Sequence, residues 1–151
     1  MVKNMQARPE RCEGDFSGRL VVITGATSGI GYHTARKYAA RGAKLLLINR
    51  NREKSAALCA ELRRDFGSDC DDLLGDLSSL ADMHRLGQAL AQLDSPIAVL
   101  IHNAGLYVTG RTQTVDGLET NFALHCLAPF IINHLVAEKL RSQAHGRILL
   151  V

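Results

Sequence analysis

Chemistry is written most densely into residues 20–31, where the apolar run Leu20–Ile23 passes directly into Thr24-Gly25-Ala26-Thr27-Ser28-Gly29-Ile30-Gly31. A Gly-rich turn between a strand and a helix can cradle phosphate, because the first turn of a helix has unpaired N–H groups and the positive end of its dipole. Three glycines at this spacing have separate jobs. Gly25 permits the tight turn out of the strand, Gly29 lets backbone approach a pyrophosphate, and Gly31 lets helix and strand pack closely. Three further short segments follow apolar runs and end in residues able to hydrogen-bond: Asn49-Arg50, Gly75-Asp76-Leu77 and His102-Asn103-Ala104-Gly105.

These segments need a scaffold, and the apolar runs define it. Leu20–Ile23, Leu45–Ile48, Ile97–Ile101 and Ile148–Val151 are short and rich in branched side chains, and they lack polar alternation, as strands covered on both faces should. A weaker fifth strand is expected at Leu73 and Leu74, behind an acidic lead of Asp69, Asp71 and Asp72. Amphipathic helices are predicted between them, at about Gly29–Arg41, Asn51–Phe66, Ser79–Leu93 and Asp116–Arg141. Gly42 and Gly67 stand as C-caps, and Ser79 with Asp82 and Asp116 with Glu119 have capping-box spacing. Pro129 inside the fourth helix removes one hydrogen bond and should kink its axis. Alternating strand and helix gives an α/β fold, a doubly wound parallel sheet of the Rossmann type. A disordered lead-in over residues 1–15 precedes one nucleotide-binding domain over residues 16–151, which stops after its fifth strand.

With these motifs in place, the chain resembles the short-chain dehydrogenase/reductase family, whose fingerprint T-G-x-x-x-G-I-G stands complete at Thr24–Gly31. Asp76-Leu77 resembles the family's D-L pair, whose Asp contacts the adenine amino group. His102-Asn103-Ala104-Gly105 resembles its N-N-A-G with the first Asn changed to His. Thr114, Asp116, Gly117, Glu119 and Phe122 match a T-x-D-G-x-E-x-x-F stretch of the retinol-dehydrogenase-like branch. The resemblance covers nearly all of residues 17–151 and implies the strand order 3-2-1-4-5. It implies a nicotinamide cofactor held by Thr24, Gly25, Thr27, Ser28, Gly29, Ile30, Gly31, Asp76, Leu77, Asn103, Ala104 and Gly105. The plain alternatives are that Asp76 caps a helix and Asn103 sits in a turn.

Cofactor choice turns on the end of the second strand. A carboxylate there would bind the ribose hydroxyls of NAD and repel a 2′-phosphate; this chain offers Asn49 and Arg50 instead, which favours NADP (NADPH). The alternative is that Arg50 and Arg52 merely begin a solvated helix. The expected activity is hydride transfer between nicotinamide and a carbonyl or alcohol carbon, on a lipophilic substrate by resemblance to the retinol-dehydrogenase-like branch.

The family's catalytic residues are an Asn in the fourth helix, a Ser after the fifth strand, and a Y-x-x-x-K pair. Alignment on Phe122 and Leu127 places His125 at the Asn position, with Asn121 one turn earlier. Tyr32, Tyr38 and Tyr107 are followed four residues later by Arg36, Gly42 and Arg111, so no Y-x-x-x-K lies within the 151 residues. Two other readings therefore stand beside the enzyme: a non-catalytic NADP-binding or interaction protein, and an inactive fragment. Leu149, Leu150 and Val151 would lie along an open sheet edge, which predicts poor solubility.

Composition narrows the classes. A chain 46% hydrophobic and 22% charged is globular, and at this length it can bury roughly 70% of its unfolded surface. A net charge of +3, spread over 18 Lys and Arg, gives no nucleic-acid stripe. Cys12, Cys59, Cys70 and Cys126 form no C-x-x-C and read as reduced thiols. His33, His84, His134 and His145 lack metal-ligand spacing. No stretch reaches 18 apolar residues, so the expectation is a cytoplasmic protein without a transmembrane segment. Self-association into a homo-oligomer follows from the resemblance alone.

Overall fold

Five strands line up side by side as one all-parallel sheet in a computed structural model that describes residues 14–106 and 108–151. The strands are β1 (Leu20–Thr24), β2 (Lys44–Asn49), β3 (Cys70–Leu74), β4 (Ile97–His102) and β5 (Arg147–Leu150). Their order is β3-β2-β1-β4-β5, as the resemblance implied. Helices α1 (Gly29–Ala39), α2 (Arg52–Phe66), α3 (Leu80–Ala91) and α4 (Thr120–Ser142) fill the crossovers. The expected lead-in lies mostly outside the described residues, as do Cys12 and Tyr107. By Phe16 the chain has joined the body, its N–H bonded to the Arg41 carbonyl and its ring edge-on to Tyr38.

The continuous apolar runs of β1, β2 and β4 arise because these strands are buried on both faces. Val21, Ile23, Leu45 and Leu47 point to the side of α1 and α2, where they meet Ala35, Ala39, Leu58 and Leu62. Val22, Leu46, Ile48 and Leu100 point to the other side and meet Met83, Leu86 and Leu90 of α3 and Ala128, Ile132 and Val136 of α4. The edge strands β3 and β5 are the exceptions, with β5 exposed along its length. The acidic residues read as a lead into β3, Asp71 and Asp72, are strand residues paired with Leu46 and Leu47. An edge strand tolerates them, because one side of it faces solvent.

Several helix ends differ from the sequence expectation. α1 stops at Ala39 with Ala40 as its cap, and Gly42 (φ 76°) serves the turn beyond it. Gly67 (φ 62°) does cap α2, whose first turn is closed by Asn51 accepting from the Lys54 N–H. Ser79 caps α3 by accepting from the Asp82 N–H, but the Asp82 carboxylate accepts from the Asp76 N–H and completes no capping box. α4 begins at Thr120, not Asp116: the Glu119 carboxylate accepts from the Asn121 and Phe122 N–H groups. Asp116 instead reaches 36 residues back to accept from the Leu80 N–H at the start of α3.

The expected break at Pro129 takes a different form. Residues Ala123–Leu127 make a π-helical turn in which the Ala128 N–H bonds to the Ala123 carbonyl, and Pro129 enters the regular helix in its first turn. Pro129 cannot donate to the carbonyl four residues back, and a widened turn just before it accommodates that mismatch without stopping the helix. By length and composition, Thr120–Ser142 is also the one helix among the described residues that could span a membrane. Its Ala128, Ile132 and Val136 are buried in the core.

Candidate functional site

Where the strand order reverses, the chain leaves β1 and β4 in opposite directions and opens a crevice at their carboxyl ends. A cleft of about 1020 Å³ occupies this place. It collects Gly25, Thr27, Ser28, Gly29, Ile30, Asn49, Arg50, Asp76, Leu77, Asn103, Ala104 and Gly105, with His125 at its far end. Twelve of the fourteen residues read as cofactor-binding therefore share one cavity.

Thr24 and Gly31 lie behind it and shape it. The Thr24 hydroxyl accepts from the Asn103 and Ala104 N–H groups at 3.0 and 2.9 Å, which joins the end of β1 to the end of β4. The Asn103 amide completes the bracket by donating to the Thr24 and Gly25 carbonyls. Gly25 has φ 68°, and a Cβ there would sit 2.7 Å from Ala104 Cα. A Cβ at Gly31 would strike the Gly25 carbonyl oxygen and the Asn103 amide. Contact excludes a side chain at both positions, and at Gly25 the left-handed backbone disfavours one as well.

The first turn of α1 is the natural anion site in this cleft. It has no acidic residue, and the Ser28 side chain makes no capping bond. Gly29 (φ 55°) has open space where a Cβ would stand. Helix dipole and first-turn N–H groups thus adjoin the open cleft, and the residues present fit a dinucleotide.

At the end of β2 the two residues assigned to a 2′-phosphate part company. Asn49 is 3% exposed; its Oδ1 accepts from the Ala26 N–H and its Nδ2 donates to Ser55. Both polar ends are engaged inside the protein, so Asn49 lines the cleft chiefly as part of its wall, with one Nδ2 hydrogen committed to Ser55. Arg50 is 72% exposed and sits 3.6 Å from the Asp76 carboxylate across the cleft mouth. Asp76 also accepts from the Ser78 N–H and hydroxyl in a local turn, while the cap of α3 is Ser79, so Asp76 does not take the helix-capping role that is its alternative reading. Lys54, one turn into α2, lines the same mouth and was not singled out from the sequence. The available signal was a cation near a helix N-terminus, where it opposes the dipole and gains nothing from the helix itself.

At the other end, His125 belongs to the π-helical turn of α4. Its Nε2 lies 2.9 Å from the Leu106 carbonyl, and its ring covers Gly105. His102, the residue changed within the N-N-A-G pattern, turns away from the cleft. It is buried, with Nε2 2.8 Å from Asn133 Oδ1, and burial pushes its pKa down against the opposing pull of that bond.

The profile of the family described as short chain dehydrogenase matches residues 19–151, nearly all of the described body. The chain belongs to this family. It is 34% identical over 148 residues to dehydrogenase/reductase SDR family member 13 of Bos taurus, covering 97% of this chain and 39% of that one. It is 33% identical to retinol dehydrogenase 12 of Mus musculus, covering 87% of this chain and 42% of that protein. Among solved structures, a short-chain dehydrogenase from Sphingobium yanoikuyae in complex with NADPH superposes with a TM-score of 0.76 at 34% identity, over 86% of this chain and 51% of that one. The chain thus spans about two fifths of the length of these curated relatives.

Proposed function

We propose that this chain is the nucleotide-holding part of an NADP-dependent dehydrogenase/reductase acting on a small carbonyl or alcohol substrate. The observation that carries the reading is the cleft mouth, where Asn49 and Arg50 stand at the end of β2 in place of a carboxylate and Lys54 of α2 lies beside them. The first turn of α1 would hold the pyrophosphate, and Arg50 with Lys54 the 2′-phosphate, for which a planar guanidinium is well matched. Asp76 and Leu77 would border the adenine, and Asn103, Ala104 and Gly105 the ribose beside it. Asn49 contributes as the bracket that fixes Ala26 and so the Gly-rich turn. The nicotinamide of the bound cofactor supplies or accepts the hydride.

A phosphate at the mouth would compete with Asp76 for Arg50, so binding would redirect an ion pair already formed. NADPH in the Sphingobium neighbour supports the cofactor class, and the likeness to retinol dehydrogenase 12 supports a lipophilic substrate. Paired titrations of the 151-residue chain with NADPH and NADH test the reading. We expect NADPH to bind at least about tenfold more tightly, roughly 1.4 kcal/mol. Equal or reversed affinities would overturn it.

A further inference from the structure

We propose that Cys59 and Cys70 form a reversible dithiol–disulfide couple, an oxidation site that links α2 to β3 within the fold. Cys59 lies on the buried face of α2, and Cys70 opens β3; they are 2% and 0% exposed. Their sulfurs are 3.1 Å apart. A disulfide bond is about 2.0 Å long, so closure needs a further approach of about 1 Å. A single buried cysteine is a small apolar filler, but two in sulfur-to-sulfur contact across a helix–strand interface place both partners of a bond together. Cys126 cannot compete from its position, being exposed on α4 on the opposite side of the sheet.

The pair is polarised. The Cys70 thiol donates to the Cys59 sulfur, which makes Cys59 the first to ionise. Arg63, one turn along α2, bonds to the Cys70 carbonyl and lies 3.3 Å from Asp71, so its positive charge is set against the acidic Asp71 and Asp72 around the pair. Burial pushes both thiols up, so the reaction is slow and selective for small oxidants.

With hydrogen peroxide, the Cys59 thiolate attacks one oxygen and the O–O bond breaks. Cys59 becomes a sulfenic acid, and the departing hydroxide takes up the proton lost from Cys59 to leave as water. The Cys70 sulfur then attacks the Cys59 sulfur, the S–O bond breaks, and a second water leaves with the Cys70 proton. Two thiols give up two electrons and two protons, and the peroxide becomes two waters.

The test uses the whole 151-residue chain, treated with hydrogen peroxide in its folded state, quenched, unfolded, alkylated and mapped by mass. The expected result is a species lighter by two hydrogens, with a Cys59–Cys70 linked peptide as the dominant product. Its unfolding midpoint should be raised, and dithiothreitol should reverse both changes. The same treatment in urea should scatter pairing among all four cysteines, which separates proximity in the fold from simple reactivity. In C70S, Cys59 should stop at the sulfenic acid and be trapped by dimedone. Full alkylation of Cys59 and Cys70 after folded-state treatment, or equal pairing with Cys12 or Cys126, would overturn the proposal.

Discussion

His102 Nε2 lies 2.8 Å from Asn133 Oδ1 and so fastens the end of β4, directly before the cleft, to the middle of α4. Because the amide oxygen can only accept, Nε2 carries the proton in this pairing. Burial lowers the pKa of His102 in the folded chain below its ordinary value of about 6.5. As pH falls through that value the unfolded chain takes up a proton that the folded chain refuses, so stability decreases with falling pH until the folded pKa is passed. Urea midpoints at pH 7.5 and 5.5 should therefore fall further for the natural chain than for H102N. Identical losses in the two proteins would contradict the assignment.

Gly31→Ala tests the packing behind the cleft. The added methyl meets the Gly25 carbonyl and the Asn103 amide, and the backbone oxygen cannot move without displacing the Gly-rich turn. Overpacking of this kind costs about 1–3 kcal/mol. The unfolding midpoint should drop and NADPH affinity should fall with it. Unchanged values for both would mean that helix and turn are not so closely packed.

Asn49→Leu keeps the volume and removes the bracket. The buried Ala26 N–H loses its acceptor and Ser55 its donor, a loss of about 1–3 kcal/mol for a stranded buried group. Thermal or urea unfolding should show it. A neutral substitution would mean that water reaches the Ala26 amide.

Ile148, Leu149 and Leu150 of β5 and Val151 after it are exposed, and among the described residues β5 pairs with β4 alone. An apolar, unpaired edge invites strand pairing between molecules. Sedimentation at rising concentration should show the 151-residue chain associating, and L150K, at a position 70% exposed, should weaken that association. A monodisperse species at every concentration would contradict this.

Much of the architecture was legible because its causes are local. Strands such as Leu45–Ile48 are apolar throughout because both sheet faces are covered, and Gly25 and Gly31 are marked by backbone contacts that only glycine permits. What escaped the sequence depends on partners far along the chain. Asp116 has the spacing of a cap for α4 but serves α3, 36 residues away. Asn49 has the chemistry of a ligand donor, yet Ala26, 23 residues earlier, and Ser55 claim its amide. Asp71 and Asp72 looked unlike strand residues because their edge position was set by the pairing of β2 with β3. Lys54 acquires meaning only once the cleft brings it to the same mouth as Arg50.

Selection of a 2′-phosphate by Arg50 at the cleft mouth, as proposed, is read most directly from the ratio of NADH to NADPH dissociation constants for the natural chain and for R50A. Removing the guanidinium should weaken NADPH about tenfold or more, leave NADH nearly unchanged, and bring the ratio towards one. An R50A chain that binds NADPH as tightly as the natural one, with its preference intact, would contradict the account.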